Sequence, residues 1–116
     1  MTSIPPGKHL ILDFFEATNL TDVSAIEKAL RTASNACGAT VLNIDLHEFG
    51  EGHGVTGVAV LAESHISIHT WPEISYAALD VFMCGTCDPS NAIEPLKQAF
   101  KPEKVKVTEI MRGIDE

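Results

Sequence analysis

The chain has 116 residues, of which 45% are hydrophobic, which is room for one domain (residues 1–116) with a compact core. Its formal net charge of −8, from 8 basic and 16 acidic residues, argues against nucleic acid, whose phosphates need a basic footprint, and favours a cationic ligand only weakly. The start, Met1-Thr2-Ser3-Ile4-Pro5-Pro6, shows no charged leader before an apolar stretch, and no segment approaches the roughly 20 apolar residues of a membrane span, so a soluble cytoplasmic protein is expected.

In chain order, residues 9–14 read as a short apolar strand. Residues 23–37 read as a helix, with Val23, Ile26, Ala29, Leu30 and Ala33 at helical spacing, Thr21 or Asp22 as cap and Gly38 as stop. Residues 40–49 form a strand, and Gly50-Glu51-Gly52-His53-Gly54 a glycine-rich connector. Three more strands follow over residues 55–62, 65–71 and 76–84, joined by tight links. Asp88-Pro89-Ser90 opens a second helix with Ile93, Leu96 and Phe100 on its apolar face, and Lys101-Pro102 ends it. The last strand, residues 104–111, alternates imperfectly, which leaves its facing open. The order of elements predicts an α+β fold with a mainly antiparallel sheet and both helices on one face.

The stretch 65–71 alternates strictly, with Ile66 and Ile68 on one side and His65, Ser67, His69 and Trp71 on the other. Two imidazoles, a hydroxyl and an indole on one strand face suit the wall of a site, although satisfied surface or interface polar residues would fit the same pattern. Three cysteines, Cys37, Cys84 and Cys87, are an odd number without a secretion signal, so a disulfide framework is not expected. Cys84-Gly85-Thr86-Cys87 spells C-x-x-C, which is open to redox work or half a zinc site. No second C-x-x-C exists, and His47, His53, His65 and His69 lack a settled metal spacing, so no metal is expected.

The segment Leu61-Ala62-Glu63-Ser64-His65-Ile66-Ser67-Ile68-His69-Thr70-Trp71-Pro72-Glu73 resembles the processing segment of the bacterial S-adenosylmethionine decarboxylase proenzymes, a pyruvoyl-dependent family. The similarity continues through Tyr76-Ala77-Ala78-Leu79-Asp80-Val81-Phe82-Met83-Cys84-Gly85, Gly54-Val55-Thr56-Gly57-Val58 and Gly7-Lys8-His9-Leu10. The resemblance implies a two-layer sandwich, self-cleavage between Glu63 and Ser64 into residues 1–63 (beta chain) and 64–116 (alpha chain), and a homodimer. Decarboxylating an α-amino acid leaves a carbanion that no ordinary side chain can absorb, so a carbonyl or pyridine sink is needed. By the resemblance the sink is a covalent pyruvoyl group made from Ser64, which would form the Schiff base with substrate, without pyridoxal phosphate or metal.

The same resemblance makes His69 the processing base, Thr56 its assistant where the family commonly has serine, and Cys84 the proton donor to the substrate carbon. It makes Phe49, Trp71 and Glu73 the substrate-holding residues, an adenine-stacking pair and a ribose carboxylate. Ser64 and His69 differ by an odd number of positions, so a turn or bulge around residues 63–65 is expected if one strand is to bring them together. A chain this small is compatible with a site shared between two copies. The connector departs from the family in carrying Gly50-Glu51-Gly52-His53-Gly54, and Glu48 stands where a basic residue is often found. Extra carboxylates there would also suit ornithine or arginine. The expected function is S-adenosylmethionine decarboxylation for spermidine and polyamine biosynthesis. A pyruvoyl ornithine or arginine decarboxylase, an uncleaved non-enzymatic ligand-binding paralogue, and a zinc-binding interaction domain built on Cys84, Cys87 and the histidines are the alternatives.

Overall fold

The computed structural model describes residues 7–114; the start of the chain, on which the expectation of a leaderless protein rests, lies outside the described residues. Six strands and two helices follow one another as β1 (Gly7–Phe15), α1 (Val23–Ala36), β2 (Val41–Glu48), β3 (Val55–Leu61), β4 (Ser64–Trp71), β5 (Tyr76–Cys84), α2 (Ile93–Phe100) and β6 (Lys104–Arg112). The strands make one sheet in the order β2-β3-β4-β5-β1-β6, and every neighbouring pair is antiparallel. The predicted α+β fold with both helices on one face is therefore the fold observed.

Strand parity decides which face is covered. Leu10, Leu12 and Phe14 of β1, Ile66 and Ile68 of β4, and Ala77, Leu79, Val81 and Met83 of β5 all project to one side, where they meet Ile26, Leu30 and Ala33 of α1 and Leu96 and Phe100 of α2. The other face carries His9, His65, Ser67, His69, Asp80 and Phe82, and no helix or strand among the described residues lies over it. Asp22 caps α1 by accepting the Ala25 N–H at 3.1 Å, and Gly38 at φ +80° ends it. Strand β6 is an edge strand: Val105 packs against the core, while the residues beyond it are exposed on both sides, which is why its alternation reads poorly.

Two features fix the β3–β4 hairpin that carries the suspected cleavage point. Its register runs without a break from Leu61↔Ser64 to Thr56↔His69, and its tip is the two-residue turn Ala62-Glu63. Glu63 sits at φ +65°, a conformation that costs a non-glycine residue of the order of 1–3 kcal/mol. At the opposite end Thr70 is buried and doubly bonded: its hydroxyl donates to Leu20 O at 2.7 Å and accepts the Val55 N–H at 2.8 Å. Gly54 passes close to the Thr70 carbonyl, and any Cβ there would collide with it. Thr70→Val keeps the shape but strands the Val55 N–H and the Leu20 carbonyl, each costing about 1–3 kcal/mol when buried and unpaired. A fall of about 2–4 kcal/mol in unfolding free energy is expected from urea titration. A variant as stable as the parent would show that the hydroxyl does not tie the hairpin to the loop after β1.

Candidate active site

The predicted site residues fall into two clusters at opposite ends of β4. The first surrounds the hairpin tip. Ser64 opens β4 with only 9% of its surface exposed, and its Oγ donates to Cys84 Sγ at 3.8 Å. Cys84 closes β5 on the neighbouring strand, and its thiol donates to Glu63 Oε1 at 3.5 Å. Cys84 thus touches both of the side chains named for cleavage. A cavity of about 240 Å³ opens beside them, lined by Lys8, Met83, Cys84, Cys87 and Asp88 among others.

The second cluster lies where β3, β4 and the glycine-rich connector meet. Thr56 and His69 are cross-strand partners, with Thr56 Oγ1 and His69 Nδ1 at 3.1 Å. When Nδ1–H donates to the threonine oxygen, Nε2 keeps its lone pair and is able to take a proton. A cavity of about 400 Å³ is lined by Phe49, His53, Thr56, His69, Trp71 and Glu73. Phe49 is 61% exposed and Trp71 39% exposed, so two aromatic faces stand ready for a flat ligand. Trp71 stacks on Tyr76 with centroids 5.4 Å apart, and the Tyr76 hydroxyl donates to Asp13, so the indole is held by a residue that is itself held. His53 is a pocket residue that sequence reading left in a connector; its only signal was its place in an unusual loop.

One chain does not bring these clusters together. Ser64 and His69 are five positions apart on an unbroken strand, about 17 Å at the usual rise of about 3.4 Å per residue. They also lie on opposite faces, Ser64 with the buried Ile66 and Ile68 and His69 with the open side. The turn expected around residues 63–65 is present at Glu63, but no bulge reorients β4.

A model of the family described as S-adenosylmethionine decarboxylase matches residues 8–113. The chain belongs to that family. It is 52% identical to the S-adenosylmethionine decarboxylase proenzyme of Methanococcus maripaludis strain S2 over 111 residues, covering 93% of this chain and 90% of that one. It is 40% identical to the proenzyme of the same name from Thermomicrobium roseum, over 93% of this chain and 94% of the other. The crystal structure of the adenosylmethionine decarboxylase from Aquifex aeolicus VF5 superposes with a TM-score of 0.86 at 33% identity, covering 98% of this chain and 96% of that one.

Between the two clusters, on the open face of this decarboxylase-family sheet, lies a polar network that the sequence did not reveal. Asp80 Oδ2 accepts from His9 Nε2 at 2.6 Å and from His65 Nε2 at 2.8 Å, and its Oδ1 accepts from Ser67 Oγ. His65 is therefore spent on Asp80 and does not join the wall formed by His69 and Trp71. Arg112 donates to His9 Nδ1 at 3.0 Å, which fixes the proton of that imidazole on Nε2. Among the described residues, His9, His65 and Asp80 are the group whose possible ligand atoms lie within 4.8 Å of one another. The proton that Arg112 forces onto His9 Nε2 occupies the lone pair a cation would need, so the group reads as a carboxylate clamp.

Burial pushes the Asp80 carboxyl up, but the hydrogen bonds from Ser67, His9 and His65 outweigh it and hold the group below its usual value of 3.8. A carboxyl lowered in the folded state stabilises the fold above its unfolded value, and that contribution disappears as pH falls through the folded value. Asp80→Asn is expected to be less stable than the parent by about 1 kcal/mol at neutral pH, a figure discounted for partial solvent screening. The difference in urea midpoint should shrink as the pH drops below 3.8. A difference that stays constant across that range would mean the carboxylate charge is not what the network uses.

Proposed function

We propose that this chain is a self-cleaving proenzyme that becomes a pyruvoyl-dependent S-adenosylmethionine decarboxylase, supplying decarboxylated S-adenosylmethionine to spermidine and polyamine biosynthesis, and that its active sites are built from two copies of the chain. The observation that carries the reading is the division of labour along β4: Ser64, Glu63 and Cys84 at one end, His69, Thr56, Phe49, Trp71 and Glu73 at the other. Each end holds what the other lacks. A two-fold pairing of the open sheet faces, with the strands of the two copies running oppositely, sets the His69 end of one copy over the hairpin tip of the other; Ser64 Oγ points to the covered side there, so the second copy's imidazole approaches the Ser64 backbone and not its hydroxyl, and symmetry makes two such sites.

In the processing step, Ser64 Oγ attacks the Glu63 carbonyl carbon, and the peptide bond becomes an ester as the nitrogen departs and is reprotonated. The left-handed backbone of Glu63 holds the scissile bond in a conformation that breaking it would relax. His69 of the second copy removes the Ser64 α-proton, with its orientation set by Thr56, and elimination releases Glu63 as a carboxylate. Hydration of the resulting dehydroalanine expels ammonia and leaves a ketone at the head of residues 64–116. The fit of this group rests on Ser64 itself, which sits buried at the first position of β4 with a thiol at 3.8 Å. Once made, the pyruvoyl carbonyl supplies an electron sink for the decarboxylation.

The remaining work belongs to ordinary side chains. Cys84 returns a proton to the substrate carbon, a role that suits a thiol whose hydrogen already points at an acceptor, Glu63. Phe49 and Trp71 stack on the adenine, Glu73 accepts from the ribose hydroxyls, and the acidic Glu48 and Glu51 favour the cationic sulfonium. The exposed aromatic pair favours S-adenosylmethionine over ornithine or arginine, neither of which carries a flat base to stack.

Ser64→Ala and His69→Ala chains, each made alone, are expected to stay uncleaved. Co-expressed, the His69→Ala chain should be cut, because its Ser64 meets the intact imidazole of the Ser64→Ala partner. Intact-mass measurement of distinguishably tagged chains reads the outcome, and failure to cut within mixed dimers confirmed by sedimentation would refute the shared site. Cys84→Ala is expected to lower turnover of S-adenosylmethionine by about 10²–10⁴-fold, the usual weight of general acid–base catalysis. Unchanged turnover in a fully cleaved sample would remove Cys84 from the mechanism.

A further inference from the structure

We propose that Cys84 and Cys87 form a reversible disulfide that switches the decarboxylase off, with a low-molecular-weight disulfide as oxidant. The inference rests on the role given to Cys84 above, and it comes from the C-x-x-C that the catalytic reading leaves unexplained.

The backbone between the two cysteines is already shaped for the bond. Cys87 N–H donates to Cys84 O at 3.3 Å, so the pair occupies the first and fourth positions of a hydrogen-bonded turn whose centre is Gly85 and Thr86. Such turns hold their end Cα atoms within about 7 Å, and a disulfide spans about 4.4–6.8 Å. Gly85 sits at φ +64° with open space where a Cβ would stand, so the turn has room to adjust. Both thiols are free and partly exposed, and both line the same cavity of about 240 Å³. A small disulfide in that cavity reaches either sulfur.

The third cysteine lies near enough to Cys87 to feel its charge but is guarded by burial. Cys37 is only 5% exposed, and burial, with Cys87 and Asp88 adding to it, pushes its thiol up to about 11. Thiolate is the attacking species, so Cys37 is the least reactive of the three. In the exchange, the Cys87 thiolate attacks one sulfur of the small disulfide and expels the first thiolate. Cys84 then loses its proton, attacks the Cys87 sulfur and expels the second. Two electrons pass from the cysteine pair to the oxidant, which leaves as two thiols, and the protein holds one new S–S bond. Cys84 then has no S–H to give, and its contact with Glu63 loses its hydrogen.

The test uses the cleaved enzyme equilibrated with mixtures of reduced and oxidised glutathione. The 64–116 fragment should lose the mass of two hydrogens while activity falls at least about tenfold, and dithiothreitol should restore both. Cys87→Ser should keep its activity and resist the oxidised mixture. A band joining 1–63 to 64–116 on a non-reducing gel would mean that Cys37 is the partner, and it overturns the proposal. So does the absence of any mass loss; if Cys84→Ala is inactive in that case, the catalytic reading stands without the switch. A bond that forms with activity intact removes both the switch and the role of Cys84 as acid.

Discussion

The unbroken antiparallel register between β3 and β4 is the constraint from which the rest of the site follows. It runs from the pair Leu61↔Ser64 to the pair Thr56↔His69 with no residue inserted, so the hydroxyl and the imidazole stay a fixed length of strand apart and on opposite faces. A bulge would relieve that separation, but a bulge would also rotate Ile66 and Ile68 out of the core beneath α1 and α2. Packing forbids the local solution. The proposed pairing brings the second half of the chemistry from a second copy, and a two-fold axis would do this with no new sequence.

That arrangement changes what each residue has to achieve. A proenzyme that held nucleophile and base together in one chain would begin cutting as soon as its hairpin closed. In the proposed two-copy site assembly would come before cleavage, so the ketone would be made only inside a paired molecule. The strained backbone at Glu63 and the contact of its carboxylate with Cys84 are available in the single chain, whereas proton abstraction is not. Strain stored in one copy and a base supplied by the other is a division that the sheet geometry favours.

The sequence yielded what is local. The alternation of residues 65–71 gave the faces of β4 correctly, Asp22 and Gly38 gave the ends of α1, and the odd spacing of Ser64 and His69 exposed a conflict that strand parity alone makes visible. What stayed hidden depends on pairings between strands far apart in the chain. Nothing in the run around Asp80 says that β1 and β4 flank β5 in a register that aims His9, His65 and Ser67 at one carboxylate. Tyr76 bonding to Asp13, and so fixing Trp71, is equally a matter of register. The roles of Cys84 and Ser64 were implied by family resemblance, and their contact comes from the structure; the residues by themselves would have read as a small buried hydrophobe and a turn serine.

The Asp80 network bears on how a face carrying so much polarity could serve as the proposed interface. Burying an unpaired carboxylate, two imidazoles and a guanidinium would cost several kcal/mol per charge. Here the groups are already joined within one chain, Arg112 to His9, His9 and His65 to Asp80, and Ser67 to the other oxygen of the same carboxylate. Their hydrogen bonds are largely made before any second copy arrives, so covering the face displaces water from satisfied groups and not from bare charges. Ser67 lies on β4 midway between Ser64 and His69, which places the clamp between the two half-sites. In the proposed pairing a rigid, self-satisfied patch at that point would keep two facing sheets in one register, and that register would set the Ser64 end of one copy against the His69 end of the other.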